Sequence, residues 1–463
     1  MRQKSSAINN KYYRASRLLI LLLCIAAMGP YVFPEQGLRL EHFVIYGSLP
    51  FVLYKLQTVK YKIDNNISLL VKLSAGVMVI ILFVSLFKDN WRTIYAFFAG
   101  MENFSQPPVL ILIIYSTTLR LDQIGCTRLI QFAGNAVILM LAFNTIVSIS
   151  SIFYDITAFT GYFTNAGSQI DYEETVSALA KKMGRYSGIF NQPVECGLAY
   201  STGLLVWAYL TIINNHVRLR YWVALSFLLL GGSLSVSKSF IYGGIPLFII
   251  YWRWPAPNRL PIRKILIGCV SLVLIAVTYK SQLTESWDGL DFFLRVFDSD
   301  NYAQEGTIHL ITGTRFGGEE DSFIINMAIK VLNEAPLFGF GVMDVMTFDN
   351  GYLEFFYSGG LIGIILHVAL LAVILKFAML GLRLEPELSR LLIALWTLII
   401  ATSIGAPTLT LNRSSIFLWL FIVLIFAALS KRRSAIISYT HPANENNIAA
   451  SQKITDDIVM GSF

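Results

Sequence analysis

Charged residues are scarce in this chain of 463 residues, of which 14% are Asp, Glu, Lys or Arg and 55% are hydrophobic. A soluble domain typically carries about 25% charged residues. With a mean hydropathy of +0.60, the chain has too few polar groups to cover a water-soluble surface of this size. The composition therefore excludes an ordinary soluble globular protein and fits a lipid bilayer as solvent.

Cysteine and histidine are also rare, with four and five residues respectively. The cysteines form no CxxC pair, which argues against a disulfide framework or a zinc site, and the histidines form no HxxxH or HExxH pattern. We therefore expect no bound metal and no cofactor. The net charge of +7 does not require nucleic acid as a partner, because basic residues retained on the cytoplasmic side of a membrane give the same sign.

Long apolar runs are what the chain has instead, and a membrane-spanning helix needs roughly 20 mostly apolar residues. The sequence predicts an all-α, polytopic transmembrane helical bundle with about twelve spans. The predicted spans are Leu18–Val32, Phe43–Tyr54, Ser68–Phe87, Phe104–Leu119, Leu129–Phe153, Gly197–Ile213, Tyr221–Ser235, Ser239–Trp252, Ile265–Tyr279, Tyr352–Leu380, Leu391–Leu409 and Ser415–Leu429.

The Lys and Arg residues of the short loops predict the orientation, because cytoplasmic loops carry an excess of both. Every second loop is basic if the amino terminus is cytoplasmic, so both termini are predicted to be cytoplasmic. Segment 154–196 then lies outside. The predicted divisions are an N-terminal membrane bundle of about nine spans at 1–279, a large outer loop at 280–351, about three C-terminal spans at 352–430, and a polar cytoplasmic tail at 431–463.

The large outer loop is predicted to contain an amphipathic helix between Ser322 and Ala335. Ile325, Ile329 and Leu332 have the spacing of one helical face, and Pro336 follows the predicted end. Such a helix is expected to lie along the membrane surface or to pack on the bundle.

Charged residues on the outer side are informative, because the positive-inside bias works against cations there. Arg185 opens the stretch Arg-Tyr-Ser-Gly-Ile-Phe-Asn-Gln-Pro-Val-Glu195, which leads into a predicted span. Irregular backbone at membrane depth survives where it is buried in protein or lines a wet cavity. The interpretations that stay open for this stretch are a functional site, a salt bridge, or a simple turn at the entry to a helix.

Arg315 is a second outer arginine, flanked by glycines in Thr-Gly-Thr-Arg315-Phe-Gly-Gly. A guanidinium group donates two parallel hydrogen bonds to phosphate, and flanking glycines let a bulky ligand approach the backbone. The alternative is an ordinary loop arginine. Lys238 and Arg413 are further outer cations, with snorkelling to the interface as the alternative explanation.

Two carboxylates flank the start of a late span in Asp349-Asn-Gly-Tyr-Leu-Glu354. An Asp at a helix start is often only a cap. Glu354 lies about a turn inside, where a carboxylate is costly unless it has a partner or a function. Together with Glu195, these residues are the candidates for acid–base chemistry.

Several short motifs occur in a characteristic order. They are Arg185-x-x-Gly188-x-Phe190-x-x-Pro193, Leu234-Ser-Val-Ser237-Lys-Ser, Pro336-Leu-Phe-Gly339-Phe-Gly341, and Asp349-Asn350-x-Tyr352-Leu353-Glu354 with Gly359-Gly360 and Gly363 after it; Gly37-Leu-Arg39-Leu-Glu41 precedes the second predicted span. In this order, and with the large late outer loop, the chain resembles the O-antigen polymerase and ligase superfamily of Wzy-like polysaccharide polymerases and WaaL-like ligases. The resemblance runs from the first span to about Leu429.

The resemblance implies a multi-pass glycosyltransferase of a bacterial inner membrane that acts at the periplasmic face without metal or cofactor. Its donor would be an oligosaccharide on undecaprenyl diphosphate. Membrane lipid and a chain-length regulator protein are the further implied partners. The implied diphosphate ligands are Arg185 and Arg315, with Arg413 and Lys238 after them. The implied base candidates are Asp349, which is preferred, Glu195 and Glu354.

A polymerase of O-antigen or capsule repeat units is the preferred activity within this superfamily. In the ligases, which transfer polymer to the lipid A core, the residue before the loop-end Asn is usually histidine, whereas here it is Asp349. A flippase or other transporter of lipid-linked oligosaccharides is the alternative from another class. Transporters often show paired repeats, and this sequence has none that we detect.

Overall fold

The computed structural model describes residues 2–34, 37–58, 64–88, 94–164, 176–214, 219–253, 323–342 and 350–440. Most of these residues are helical, which confirms the predicted predominance of α-helix. In the described part of the chain, seven helical segments are long and apolar enough to cross a bilayer: Asn65–Lys88, Phe97–Thr118, Gln123–Phe153, Pro193–Asn214, Gly351–Gly381, Pro386–Ser403 and Arg413–Ala435. The chain is therefore a helical membrane protein.

We number the described helices in chain order. They are α1 (Arg2–Ala27), α2 (Leu40–Thr58), α3 (Asn65–Lys88), α4 (Ile94–Thr118), α5 (Gln123–Phe153), α6 (Thr157–Thr164), α7 (Val176–Lys182), α8 (Pro193–Asn214), α9 (Leu219–Leu234), α10 (Ile245–Arg253), α11 (Phe323–Glu334), α12 (Gly351–Gly381), α13 (Pro386–Ser403) and α14 (Asn412–Thr440). A π-helical turn, Ser239–Gly244, leads directly into α10.

The first predicted span is shorter in the structure than the apolar run suggests. Helix α1 ends at Ala27, and the chain then enters an antiparallel pair of short strands, β1 (Tyr31–Phe33) and β2 (Leu38–Arg39), in which Tyr31 lies opposite Arg39. Pro30 explains the early end, because proline disfavours the helical conformation in the residue before it. The hairpin brings Arg39 to the start of α2.

Helices α8 and α14 form the centre of the bundle. The buried share is 89% for the span in α8 and 94% for the span in α14, against 33% for α3. The face of α3 that points away from the bundle exposes large apolar side chains such as Val79, Phe83 and Phe87, as expected for a helix that faces lipid. Helix α14 contacts α1, α4, α5, α8 and α13, so its ends lie where many segments meet.

A break in α12 explains why its glycines are needed. Gly360 has φ 61° and ψ −154°, which interrupts the helix and frees backbone groups on both sides. The Pro-Leu-Phe-Gly-Phe-Gly motif pairs with them, since Phe340 N–H donates to the Tyr357 carbonyl at 2.7 Å and Leu361 N–H donates to the Pro336 carbonyl at 2.9 Å. The motif thus satisfies backbone groups that would otherwise be unpaired.

The amphipathic helix predicted before this motif is present as α11. It exposes Ile325, Ile329 and Leu332, the residues predicted to share a face. The predicted span Ile265–Tyr279 lies outside the described residues, as does most of the large outer loop.

One end of the bundle, which we call the basic end, carries the cations of the predicted inner loops. Lys55 donates to the Ser116 carbonyl at 2.8 Å, and Arg432 lies 3.6 Å from a carboxylate oxygen of Glu385. These contacts join α2 to α4 and α14 to the connection before α13. Further basic residues at this end include Arg120, Arg128, Arg383 and Lys431.

Candidate functional site

The motifs singled out in the sequence meet at the opposite end of the bundle, which we call the motif end. The segments that converge there are the β1–β2 hairpin, the starts of α2, α8, α12 and α14, the first turns of α4, and the turn after α9. Each contributes a polar side chain to a region that is otherwise apolar. Buried polar groups of this kind require partners, and the contacts below identify them.

A buried network of ionisable groups lies between the hairpin, α2 and α4. Arg39 Nη2 is 2.7 Å from Glu41 Oε1 and 4.0 Å from Glu102 Oε1, and His42 Nε2 contacts the same Glu102 oxygen. Burial opposes the charge on Arg39, but the nearby carboxylates, led by Glu41, outweigh it, so the pKa of Arg39 lies above its ordinary value. We call these four residues the charge network.

The tautomer of His42 follows from its other ring nitrogen. The backbone N–H of Arg39 donates to His42 Nδ1 at 3.0 Å, so Nδ1 must present a lone pair and the proton of the neutral ring sits on Nε2. Nε2–H therefore faces Glu102, whose Oε1 lies in contact with it. His42 thus turns the protonated nitrogen of its neutral ring toward this carboxylate.

Glu41, His42 and Glu102 bring ligand-type atoms within 4.8 Å of one another, which is the spacing of a metal centre. A metal ion would need the lone pair of His42 Nε2, which would move the proton to Nδ1 and set it against the N–H of Arg39. Glu41 is also already paired with the Arg39 guanidinium. The donor set therefore fits an ion-pair and hydrogen-bond network better than it fits a metal.

Arg413 lies at the start of α14 and is fully buried. Its guanidinium donates to the carbonyls of Gly29 at 3.0 Å and Phe163 at 2.8 Å, and also to the carbonyl of Ile189. It thus joins the end of α1, the end of α6 and the loop before α8. To bind a diphosphate, as the sequence predicts, Arg413 would have to exchange these carbonyl bonds.

Glu195, in the first turn of α8, is also buried and engaged by backbone donors. Its Oε1 accepts from the Arg413 N–H at 2.9 Å, and its Oε2 accepts from the Asn191 N–H at 3.2 Å. One carboxylate therefore caps the start of α14 and closes its own turn. Asn191 Nδ2 in turn donates to the Tyr31 hydroxyl at 3.1 Å, which connects this loop to the hairpin.

The loop from Arg185 to Phe190 is held by a buried amide. Asn144 Oδ1 accepts from the Ile189 N–H at 2.9 Å, and Asn144 Nδ2 donates to the Ser187 carbonyl at 3.3 Å. Gly188 has φ +65° with Asn144 packed against it, so a side chain there would be strained. Arg185 itself is half-buried.

Glu354 and Lys238 occupy different surroundings at the motif end. Glu354 is buried and accepts a hydrogen bond from Thr410 Oγ1 at 2.6 Å. Thr410 also lines a small apolar cavity with Phe104 and Trp419. Lys238 is exposed on the turn that follows α9.

Asp349 and Arg315 lie outside the described residues, and their predicted roles stay predictions. The neighbouring Asn350 has a clear structural role, because its side chain accepts from the Leu353 N–H at 2.9 Å and donates to the Ile404 carbonyl at 3.0 Å. It caps α12 and joins it to α13. The described candidates therefore share the motif end, but no contact joins Glu195 directly to Glu354.

The sequence analysis missed His42 and Glu102 and gave no role to Arg39 and Glu41. A signal was present, since Glu102 follows Phe97, Phe98 and Met101 in an apolar helix, where a carboxylate requires a partner. The partner could not be identified from spacing, because it lies on another helix.

No protein-family model matches this chain, and no curated protein matches it either.

Proposed function

We propose that this chain is a membrane glycosyltransferase that polymerises undecaprenyl-diphosphate-linked oligosaccharide repeat units into O-antigen or capsular polysaccharide. The reaction would take place at the periplasmic face of a bacterial inner membrane. The observation that carries the proposal is the meeting of buried arginines and carboxylates from separate segments at the motif end. The buried residues are Arg39, Glu41, Glu195 and Arg413, and the partly buried Glu102 lies beside Arg39.

The proposed orientation places the basic end in the cytoplasm, as the positive-inside rule supports. About twelve spans, cytoplasmic termini and the periplasmic location of segments 154–196 and 280–351 belong to this proposal. The motif end would then face the periplasm together with α11. A polymerase needs its ionisable groups on the side where both lipid-linked units present their sugars.

The proposed reaction has two electrostatic requirements. The departing diphosphate needs cations, which Arg185 and Arg315 would supply, with Lys238 as a further candidate. The attacking hydroxyl needs a proton acceptor, for which Asp349, Glu195 and Glu354 are the candidates from the sequence. Membrane lipid and a chain-length regulator protein are the further proposed partners.

Purified protein supplied with a defined undecaprenyl-diphosphate repeat unit tests the activity. The expected product is a ladder of lipid-linked polymer together with free undecaprenyl diphosphate. Transfer only to added lipid A core would instead indicate a ligase. Translocation across vesicles without any product would indicate a transporter, and either result would overturn the proposal.

Replacing Arg315 tests its role in the same assay. We expect Arg315→Ala to abolish long chains while the single lipid-linked unit remains, because the leaving group loses its cation. Lys376→Ala, a lysine within α12, is the control for loss of one positive charge. Normal chain length in Arg315→Ala would remove this arginine from the mechanism.

A further inference from the structure

The two described base candidates from the sequence have buried carboxylates that accept hydrogen bonds within the protein. Both oxygens of Glu195 accept from backbone N–H groups, and Glu354 accepts from Thr410. A base must instead present an accessible oxygen to the hydroxyl that it deprotonates. Among the carboxylates of the charge network, the exposed fraction of the side chain is 19% for Glu102 and zero for Glu41.

We propose that Glu102 is the general base that activates the acceptor hydroxyl, and that His42 positions and polarises it. This inference rests on the proposed function and adds a catalytic residue to it. The four residues of the charge network have distinct roles in this proposal. Glu41 neutralises Arg39, while the backbone N–H of Arg39 fixes the tautomer of His42.

The arrangement leaves one oxygen of Glu102 for substrate. Oε1 faces His42 and Arg39 inside the protein, so Oε2 is the atom on which a hydroxyl proton would be received. His42 cannot easily take the proton itself, because its Nδ1 already accepts from backbone. His42 and Glu102 resemble the histidine–carboxylate pairs of other enzymes, but with the roles exchanged. Here the imidazole orients the carboxylate, and the carboxylate takes the proton.

Unpartnered donors beside Glu102 indicate that this region binds a polar ligand. Gln106 lies one turn further along α4, on the same helical face. It is almost fully buried, yet its Nε2 finds no hydrogen-bond partner among the described residues. Arg39 likewise keeps Nε and Nη1 without a hydrogen-bond partner in the described ranges. Buried donors of this kind are expensive unless a ligand or water satisfies them, and sugar hydroxyls are suitable acceptors.

The proposed step balances without a further reactant. The acceptor oxygen forms a bond to the anomeric carbon of the donor as its proton moves to Glu102 Oε2. The bond from that carbon to the diphosphate oxygen breaks, and its electron pair leaves with undecaprenyl diphosphate. Glu102 then releases the proton to water, which restores the carboxylate.

Glu102→Gln is the decisive variant, because it preserves size and hydrogen bonding but removes the basic oxygen. We expect polymerisation by the purified protein to fall about 100-fold or more, with binding of the lipid-linked donor changed less than two-fold. Glu387→Gln is the matched control, since Glu387 pairs with Arg390 on α13, outside the motif end. It should polymerise at the rate of the unmodified protein.

Azide separates a base from a structural residue, because it attacks carbon without needing deprotonation. In Glu102→Gln, added azide should restore release of undecaprenyl diphosphate and yield the glycosyl azide. His42→Ala should show a smaller loss of polymerisation and the same recovery. If Glu102→Gln is inactive and azide restores nothing, Glu102 is structural and the inference is wrong.

Glu102→Asp keeps the test decisive if the glutamine variant does not fold. The shorter carboxylate keeps a basic oxygen and should therefore retain measurable polymerisation. Full polymerisation by any folded neutral variant would overturn the inference and leave the proposed function standing. Absence of polymerisation by the unmodified protein would instead contradict the proposed function itself.

Discussion

The two ends of α14 hold a long cation in contrasting ways. At the motif end, Arg413 is fully buried and donates to three carbonyls from three separate segments. At the basic end, Lys431 is only partly buried and donates to the carbonyls of Leu119 and Leu121 in one connection. Arg413 therefore joins three separate segments, whereas Lys431 joins α14 to one connection.

This difference has a physical origin. A guanidinium has five donors in a planar fork and can join several acceptors at once, whereas an ammonium is a compact charge on a flexible stem. A lysine near a membrane interface can also move its charge into water. Loss of the buried cation should therefore be far more damaging than loss of the partly exposed one.

The largest expected effect is that of Arg413→Ala. The substitution leaves the carbonyls of Gly29, Phe163 and Ile189 without their donor. It also removes a buried cation whose charge the carboxylates of Glu41 and Glu195 favour. Breaking one side of a buried charged arrangement costs about 3–5 kcal/mol. We expect a loss of folding stability of this size, measured by denaturant unfolding in detergent.

Lys238→Ala is the control for Arg413→Ala, because Lys238 is an exposed cation at the same end. Its folding stability should stay within about 0.5 kcal/mol of the unmodified protein. Equal losses of folding stability in the two variants would contradict the expectation that a buried guanidinium contributes more than an exposed ammonium.

Gly339→Ala should have an intermediate effect at the motif end. Gly339 has φ +71°, and a Cβ atom there would overlap the backbone of α12 near Tyr357 and Gly360. A non-glycine residue in this conformation costs about 1–3 kcal/mol, measured as above. Gly47→Ala is the matched control, since nothing lies within 4 Å of a Cβ atom at Gly47 in α2. It should be neutral or slightly stabilising, and a loss as large as that of Gly339→Ala would refute the steric argument.

Lys431→Met should have the smallest effect of the three. The methionine keeps the apolar stem, and the freed carbonyls of Leu119 and Leu121 lie near the basic end, where water can replace the ammonium. We expect a loss of about 1 kcal/mol in the same unfolding measurement. A loss as large as that of Arg413→Ala would show that both ends of α14 are equally dependent on their cation.

The helices and the gathering of motifs were predictable to different degrees. Apolar runs correctly indicated α3, α5, α8 and α12, because hydrophobicity and length are local properties of the chain. The run ending at Val32 misled the prediction, since the start of a strand is as apolar as the end of a helix. The alternation of basic loops anticipated a basic end, because that bias acts on each loop separately.

Pairings between distant segments were not predictable from one sequence. Arg413 was expected to bind phosphate, yet its donors reach Gly29, Phe163 and Ile189. Glu195 was expected to be a base candidate, yet both its oxygens accept from backbone. Spacing along the chain says nothing about which carbonyls end up beside a guanidinium.

The sequence by itself determined that this protein lives in lipid and that it is helical. These features depend on composition and local conformation. Only the tertiary structure decided which charges are neutralised and which carboxylate stays accessible, because a buried charge must find its partner in space. The union of Arg39, His42 and Glu102 in one network is the outcome of how α2 packs on α4.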